Sequence, residues 1–173
     1  MTEALSASRV DRAWHLLDGV LDPEVPVVSV RDLGIVRDVV ERDDGGLTVV
    51  VTPTYSGCPA TEVIEQSIVE ALEADGLGPV HVEMRRAPAW TTDWMSEAGR
   101  AKLREYGIAP PGAVRAPESS PLRFVPRARV GPLACPRCDS MNTERISAFG
   151  ATACKALWRC RACGEPFEHF KPI

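Results

Sequence analysis

Most of the metal and nucleophile chemistry this chain of 173 residues can offer rests on its six cysteines. Four of them form two pairs, Cys135-Pro136-Arg137-Cys138 and Cys160-Arg161-Ala162-Cys163. Each C-x-x-C pair can curl two thiolates onto one ion, and two such knuckles complete a tetrahedral four-sulfur site. Gly164, just after the second pair, suits the tight knuckle turn. The 21 residues between the pairs hold two strand-like runs, Thr143–Phe149 and Thr152–Arg159, turning at Gly150. This is the pattern of a zinc ribbon, although the same four thiolates also suit iron or an iron–sulfur cluster. A segment of roughly 40 residues has too small a core to fold alone, so the metal must supply the missing stability.

The fifth cysteine, Cys58, lies in Thr52-Pro53-Thr54-Tyr55-Ser56-Gly57-Cys58-Pro59-Ala60, where a strand gives way to a helix. Pro59 fits the first helical position, which places Cys58 at the N-cap beside the free N–H groups and the positive end of the helix dipole. A thiolate is stabilised there, so Cys58 reads as an acidic, nucleophilic thiol with the hydroxyls of Thr52, Thr54 and Ser56 nearby. The alternative is a buried packing cysteine, since free cysteine is among the most buried residue types. The sixth, Cys154, lies next to Lys155 and reads as a packed ribbon residue or as a thiol tuned by that charge.

The elements that must position these thiols follow from periodicity. Ser8-Arg9-Val10-Asp11 opens a helix whose apolar face is Val10, Trp14, Leu17 and Leu21, stopped at Asp22-Pro23. Val27–Val30 and Leu33–Val40 are extended, and Asp43-Asp44-Gly45-Gly46 turns the second run back into the strand Leu47–Val51. A helix runs from Pro59 to about Ala74, a strand over Val80–Met84 and a last helix from about Met95 to Tyr106, closed by Gly107. Trp90 and Trp94 read as covers over the sheet, and His15 and His81 as surface residues. The fold class is α+β: a compact α-β-β-α-β-α domain over residues 1–108, a proline-rich linker over 109–121 and a four-cysteine ribbon over 122–173.

Composition bounds the function. The 45% hydrophobic and 25% charged residues are those of a soluble globular protein. No apolar run approaches a membrane span and the N-terminus lacks a signal peptide, so a cytoplasmic protein without disulfides is expected. Residues 1–120 carry 11 Lys and Arg against 20 Asp and Glu, whereas residues 121–173 carry 9 against 4. An acidic first part and a basic ribbon argue for protein partners over nucleic acid, leaving a nucleic-acid-binding ribbon as the alternative.

Asp22-Pro23-Glu24, Asp32-Leu33-Gly34-Ile35-Val36 and Thr52-Pro53-Thr54…Gly57-Cys58-Pro59 resemble, in order and spacing, the family of small iron–sulfur cluster assembly domains. The resemblance covers about residues 8–108. With Pro88-Ala89-Trp90-Thr91-Thr92-Asp93-Trp94 and the ribbon added, the chain resembles the accessory components of bacterial phenylacetyl-CoA 1,2-epoxidase (ring-oxygenase) systems. This implies a non-catalytic maturation factor that helps install an iron or iron–sulfur centre in the oxygenase or reductase subunit. It also implies that Cys58 is the reactive or cluster-ligating thiol, with Asp22, Asp32, Thr52 and Thr54 in the motifs around it. One thiolate cannot hold a cluster alone, so a second ligand must come from a homodimer mate, from Cys154 or from the client. A structural docking subunit with an inert Cys58, and a thiol enzyme, are the competing readings.

Overall fold

The computed structural model describes residues 8–55, 57–112, 131 and 133–173. The chain divides into two compact units, residues 1–102 and 103–173. The proline-rich stretch from residue 113 onward, Ser56, and Arg123, Arg127 and Arg129 lie outside the described residues.

In the first unit, helix α1 (Arg9–Leu17) begins with the expected reciprocal cap: Ser8 Oγ accepts from the Asp11 N–H, and the Asp11 carboxylate accepts from the Ser8 N–H. The helix is shorter than its apolar pattern suggests. It ends at Leu17, its buried residues are Ala13 and Leu17, and Leu21 is exposed. Strands β1 (Val36–Glu41) and β2 (Leu47–Val51) form the antiparallel hairpin, and β3 (Val80–Met84) joins β2 in parallel after helix α2 (Ala60–Ala74). The sheet order is β1-β2-β3. α1 packs against α2 and β1, and α2 packs against β3. Leu17, Val28, Val30, Leu47, Val49, Ile68 and Leu72 are fully buried between these layers, each worth about 1.5–3 kcal/mol of transfer free energy.

Val27–Val30 is not a strand. It is a buried loop held by local bonds, with only an isolated bridge between Leu21 and Ser29. The Asp22 carboxylate accepts from the Glu24 and Val25 N–H groups at 2.8 Å each. These side-chain acceptors give the backbone an alternative to a sheet ladder, which β-propensity alone does not register. Leu33 and Gly34 likewise sit in a turn, so β1 starts later than the apolar run suggests.

The 3-10 turn Thr92–Trp94 leads into helix α3 (Glu97–Tyr106). Trp90 is buried and donates through Nε1 to the Leu33 carbonyl at 2.9 Å, and a side chain at Gly34 would run into Trp94. The two tryptophans therefore cover the Asp32-Leu33-Gly34 turn.

The second unit holds a strand that the sequence does not reveal, at the junction of the expected first domain and linker. β4 (Ile108–Ala109) pairs in parallel with β7 (Pro166–Phe170), which pairs with β6 (Lys155–Cys160), which pairs with β5 (Thr143–Ser147). The division of the chain thus falls ahead of the expected 109–121 linker, and the ribbon sheet has four strands in the order β4-β7-β6-β5.

Candidate functional site

Two thiol sites differ in construction. In the second unit the sulfurs of Cys135, Cys138, Cys160 and Cys163 all lie within 4.8 Å of one another. The Cys135–Cys163 and Cys138–Cys160 separations are 3.9 and 3.6 Å. A zinc ion with four thiolates at about 2.3 Å sets tetrahedral edges of roughly 3.8 Å, so these four residues fit that metal. Both knuckles are built alike. The N–H of Asp139 donates to the Cys135 carbonyl at 2.9 Å, and that of Gly164 to the Cys160 carbonyl at 3.0 Å. Each closing residue is left-handed, Asp139 at φ 58° and Gly164 at φ 83°. The glycine is visible in the sequence as a turn residue; Asp139 is its counterpart, a residue type that tolerates this region.

The thiols differ electrostatically. Backbone N–H groups of Cys163 and Ala162 pull the Cys160 thiol down to about 6. The Ser140 N–H favours the Cys138 thiolate, but desolvation and the thiols of Cys160, Cys163 and Cys135 outweigh it and push that group up to about 12. Four sulfurs this close cannot all be thiolates without a cation among them, so metal binding displaces protons. Cys154 stands apart, buried with its sulfur 3.0 Å from Thr152 Oγ1. Its neighbour Lys155 is buried and ion-paired with Glu168 at 2.7 Å.

In the first unit Cys58 is half-buried in a groove of about 240 Å³, lined with Pro53, Thr61, Glu62, Glu65, Met84 and Arg86 among others. The parallel register explains the place. Val51 stands opposite Met84, and the Arg85 N–H extends the ladder to the Val51 carbonyl at 2.8 Å. The residues leaving β2 and β3 therefore emerge at the same edge, outside the carboxyl ends of parallel strands, where open α/β sheets tend to bind ligands. Gly57 at φ 84° takes the left-handed turn just before Cys58 and the start of α2.

The helix register differs by one residue from the sequence reading. Pro59 occupies the N-cap with helical φ and ψ, no side chain among the described residues caps the helix, and Cys58 stands one residue outside, its carbonyl accepting from the Thr61 N–H at 3.2 Å. The motif residues are distributed. Thr52 is fully buried at the end of β2, its N–H bonded to the Ile35 carbonyl, and Thr54 is half-buried in the following bend. Asp22 and Asp32 do not line the Cys58 groove. Asp32 holds its own turn together, accepting from the Ser29 N–H at 3.1 Å, Ser96 Oγ at 3.0 Å and Lys102 Nζ at 2.6 Å. Burial opposes its charge, but the Lys102, Ser29 and Ser96 hydrogen bonds prevail and hold its carboxyl below the usual range. No histidine lines the groove; His15 and His81 are exposed. The sequence reading missed Arg86 and Met84 as groove residues, because they meet Cys58 only through the β2–β3 pairing.

Residues 11–84 match the family described as iron-sulfur cluster assembly protein, and residues 122–171 match the PaaD zinc beta ribbon domain. An Escherichia coli (strain K12) protein provisionally named as a 1,2-phenylacetyl-CoA epoxidase subunit is 47% identical over 169 residues, covering 98% of this chain and 96% of that protein. The chain belongs to this PaaD family. An iron–sulfur protein maturation auxiliary factor of Porphyromonas gingivalis (strain ATCC BAA-308 / W83) is 36% identical over 90 residues, covering 51% of this chain and 85% of that one. Among solved structures, a Bacillus anthracis domain of unknown function, DUF59, is similar with a TM-score of 0.52 and 25% identity, covering 55% of this chain and 91% of that one. The chain thus joins an assembly-type domain to a four-cysteine, metal-binding ribbon. No helix among the described residues is long and apolar enough to cross a membrane.

Proposed function

We propose that this protein is a cytoplasmic, non-catalytic maturation factor for a phenylacetyl-CoA epoxidase. It takes up iron or an iron–sulfur cluster at Cys58 and passes it to the oxygenase or reductase subunit. The observation that carries this reading is the contrast between one half-buried thiol in an open groove and four sulfurs already gathered into a closed tetrahedron. A closed site retains its metal, whereas a single thiolate with open positions beside it needs ligands from elsewhere and can release its cargo. The missing ligands come from the client or from a second copy of the chain. Cys154, buried against Thr152, is a poor candidate. Cys135, Cys138, Cys160 and Cys163 hold zinc, which supplies the folding energy of the ribbon and no chemistry to the transfer. The ribbon in turn serves to dock the client.

The test is complementation in a strain that lacks the protein. Cys58→Ser is expected to fold and accumulate normally, yet to fail to restore growth on phenylacetate, with the oxygenase or reductase short of iron. Normal growth with fully metallated partners would replace this reading with that of a docking subunit whose Cys58 is inert.

A further inference from the structure

Arg86 shares the Cys58 groove and differs from every other arginine of the described first unit. Arg9, Arg12, Arg31, Arg42 and Arg85 are ion-paired, Arg37 lies over the Trp94 ring, and Arg100 donates to the Thr92 carbonyl. Arg86 is exposed and, among the described residues, has no ion pair, although Glu62 and Glu65 line the same groove. The carboxylates come from α2 and the guanidinium from the segment after β3, so the groove presents opposite charges that do not neutralise each other by contact. An unpaired guanidinium lining the same groove as a thiol can receive an anion there, offering planar, forked donors to thiolate, carboxylate or sulfide ligands.

We propose that Arg86 is the positioning residue that receives the anionic side of an iron–thiolate centre brought to Cys58; this rests on the reading of Cys58 as the transfer thiol. The step is a ligand exchange without redox change. The Cys58 thiol loses its proton and forms a sulfur–iron bond, the donor's thiolate–iron bond breaks, and that departing thiolate takes up a proton. A centre carrying several thiolates is net negative, and Arg86 offsets that charge while the incoming sulfur approaches.

The test uses the full-length, zinc-loaded chain and two alkylating reagents of similar size, anionic iodoacetate and neutral iodoacetamide. Modification is followed on the Cys58 peptide by mass spectrometry. The ratio of the iodoacetate to the iodoacetamide rate should fall roughly threefold in Arg86→Ala and about tenfold in Arg86→Glu, as expected for removing or reversing one nearby charge in water. Arg86→Lys should keep most of the wild-type ratio, and added salt should bring the variants together. Uptake from an anionic glutathione-ligated [2Fe–2S] complex should slow in the same order. An unchanged ratio, an equal slowing with both reagents, or cluster uptake indifferent to Arg86→Glu would overturn the proposal. None of those outcomes bears on whether Cys58 is essential, which the growth test decides separately.

Discussion

The ribbon and the Cys58 groove place the same element, sulfur, in opposite settings. In the ribbon, two local knuckles bring four sulfurs within 4.8 Å of one another, and the surrounding sheet buries Cys135 and Cys160 completely. Around Cys58 a single sulfur is left half-exposed at the edge of a parallel strand pair, with charged groups that do not pair with each other. A site that must never lose its metal closes its coordination within the chain. On the transfer reading proposed above, the Cys58 site leaves coordination incomplete so that a donor or acceptor can supply the other ligands. The difference therefore lies in how many ligands the fold itself provides.

The largest effect that could break this comparison is loss of the ribbon metal. Cys160→Ser should release zinc and unfold residues 133–170, because structural zinc contributes on the order of 10 kcal/mol to such small folds. Residues 8–102 should keep their amide protection, as read by hydrogen exchange. Retention of stoichiometric zinc by the variant would deny that the four cysteines form one site.

A smaller, pH-dependent effect separates the units further. His169 is 3% exposed, its Nε2 has no partner among the described residues, and its ring meets Trp158 edge-on at 6.1 Å. Burial, with a lesser contribution from the Lys171 charge, holds its pKa down at about 4. The unfolded chain therefore binds the extra proton first. The ribbon keeps this stability above about pH 6.5 and loses up to about 3 kcal/mol as the pH falls towards 4. His169→Phe should flatten that acid loss when zinc retention and Trp158 fluorescence are compared with wild type. An unchanged acid profile would remove His169 from the account.

A change of about 2 kcal/mol sharpens the comparison inside the first unit. Asp32→Ala leaves the Ser29 N–H and Lys102 without their acceptor, at a cost of about 1–3 kcal/mol measured by denaturant unfolding. Because Asp32 does not line the groove, alkylation of Cys58 in the folded variant should match wild type. A large change in that rate would return Asp32 to the Cys58 site.

The legible parts of the molecule were those set by neighbours in sequence. The C-x-x-C knuckles, the Ser8–Asp11 cap, the hairpin turn at Asp43–Gly46 and the helix after Pro59 each depend on a few consecutive residues. What escaped depends on distant pairing or on burial without regular structure. β4 has only Ile108 and Ala109, and nothing local says that they will meet Glu168 and His169. Val27–Val30 carries strand-forming residues, yet the side chain of Asp22 competes for the preceding backbone. Arg86 joins Cys58 only because β2 and β3 run parallel in one register. Asp22 and Asp32 share motifs with the assembly family, and the structure gives both a job in holding turns.

The central claim is that the open thiol carries cargo while the closed site does not. Its most direct test is anaerobic. The full-length protein, wild type and Cys58→Ser, is loaded with a [2Fe–2S] cluster, analysed for zinc, iron and sulfide, and mixed with apo-reductase while cluster absorbance is followed. The account predicts one zinc per chain in both proteins, with cluster uptake and transfer to the reductase only in wild type. Equal uptake and transfer by Cys58→Ser, or iron found in place of zinc at Cys135, Cys138, Cys160 and Cys163, would contradict it.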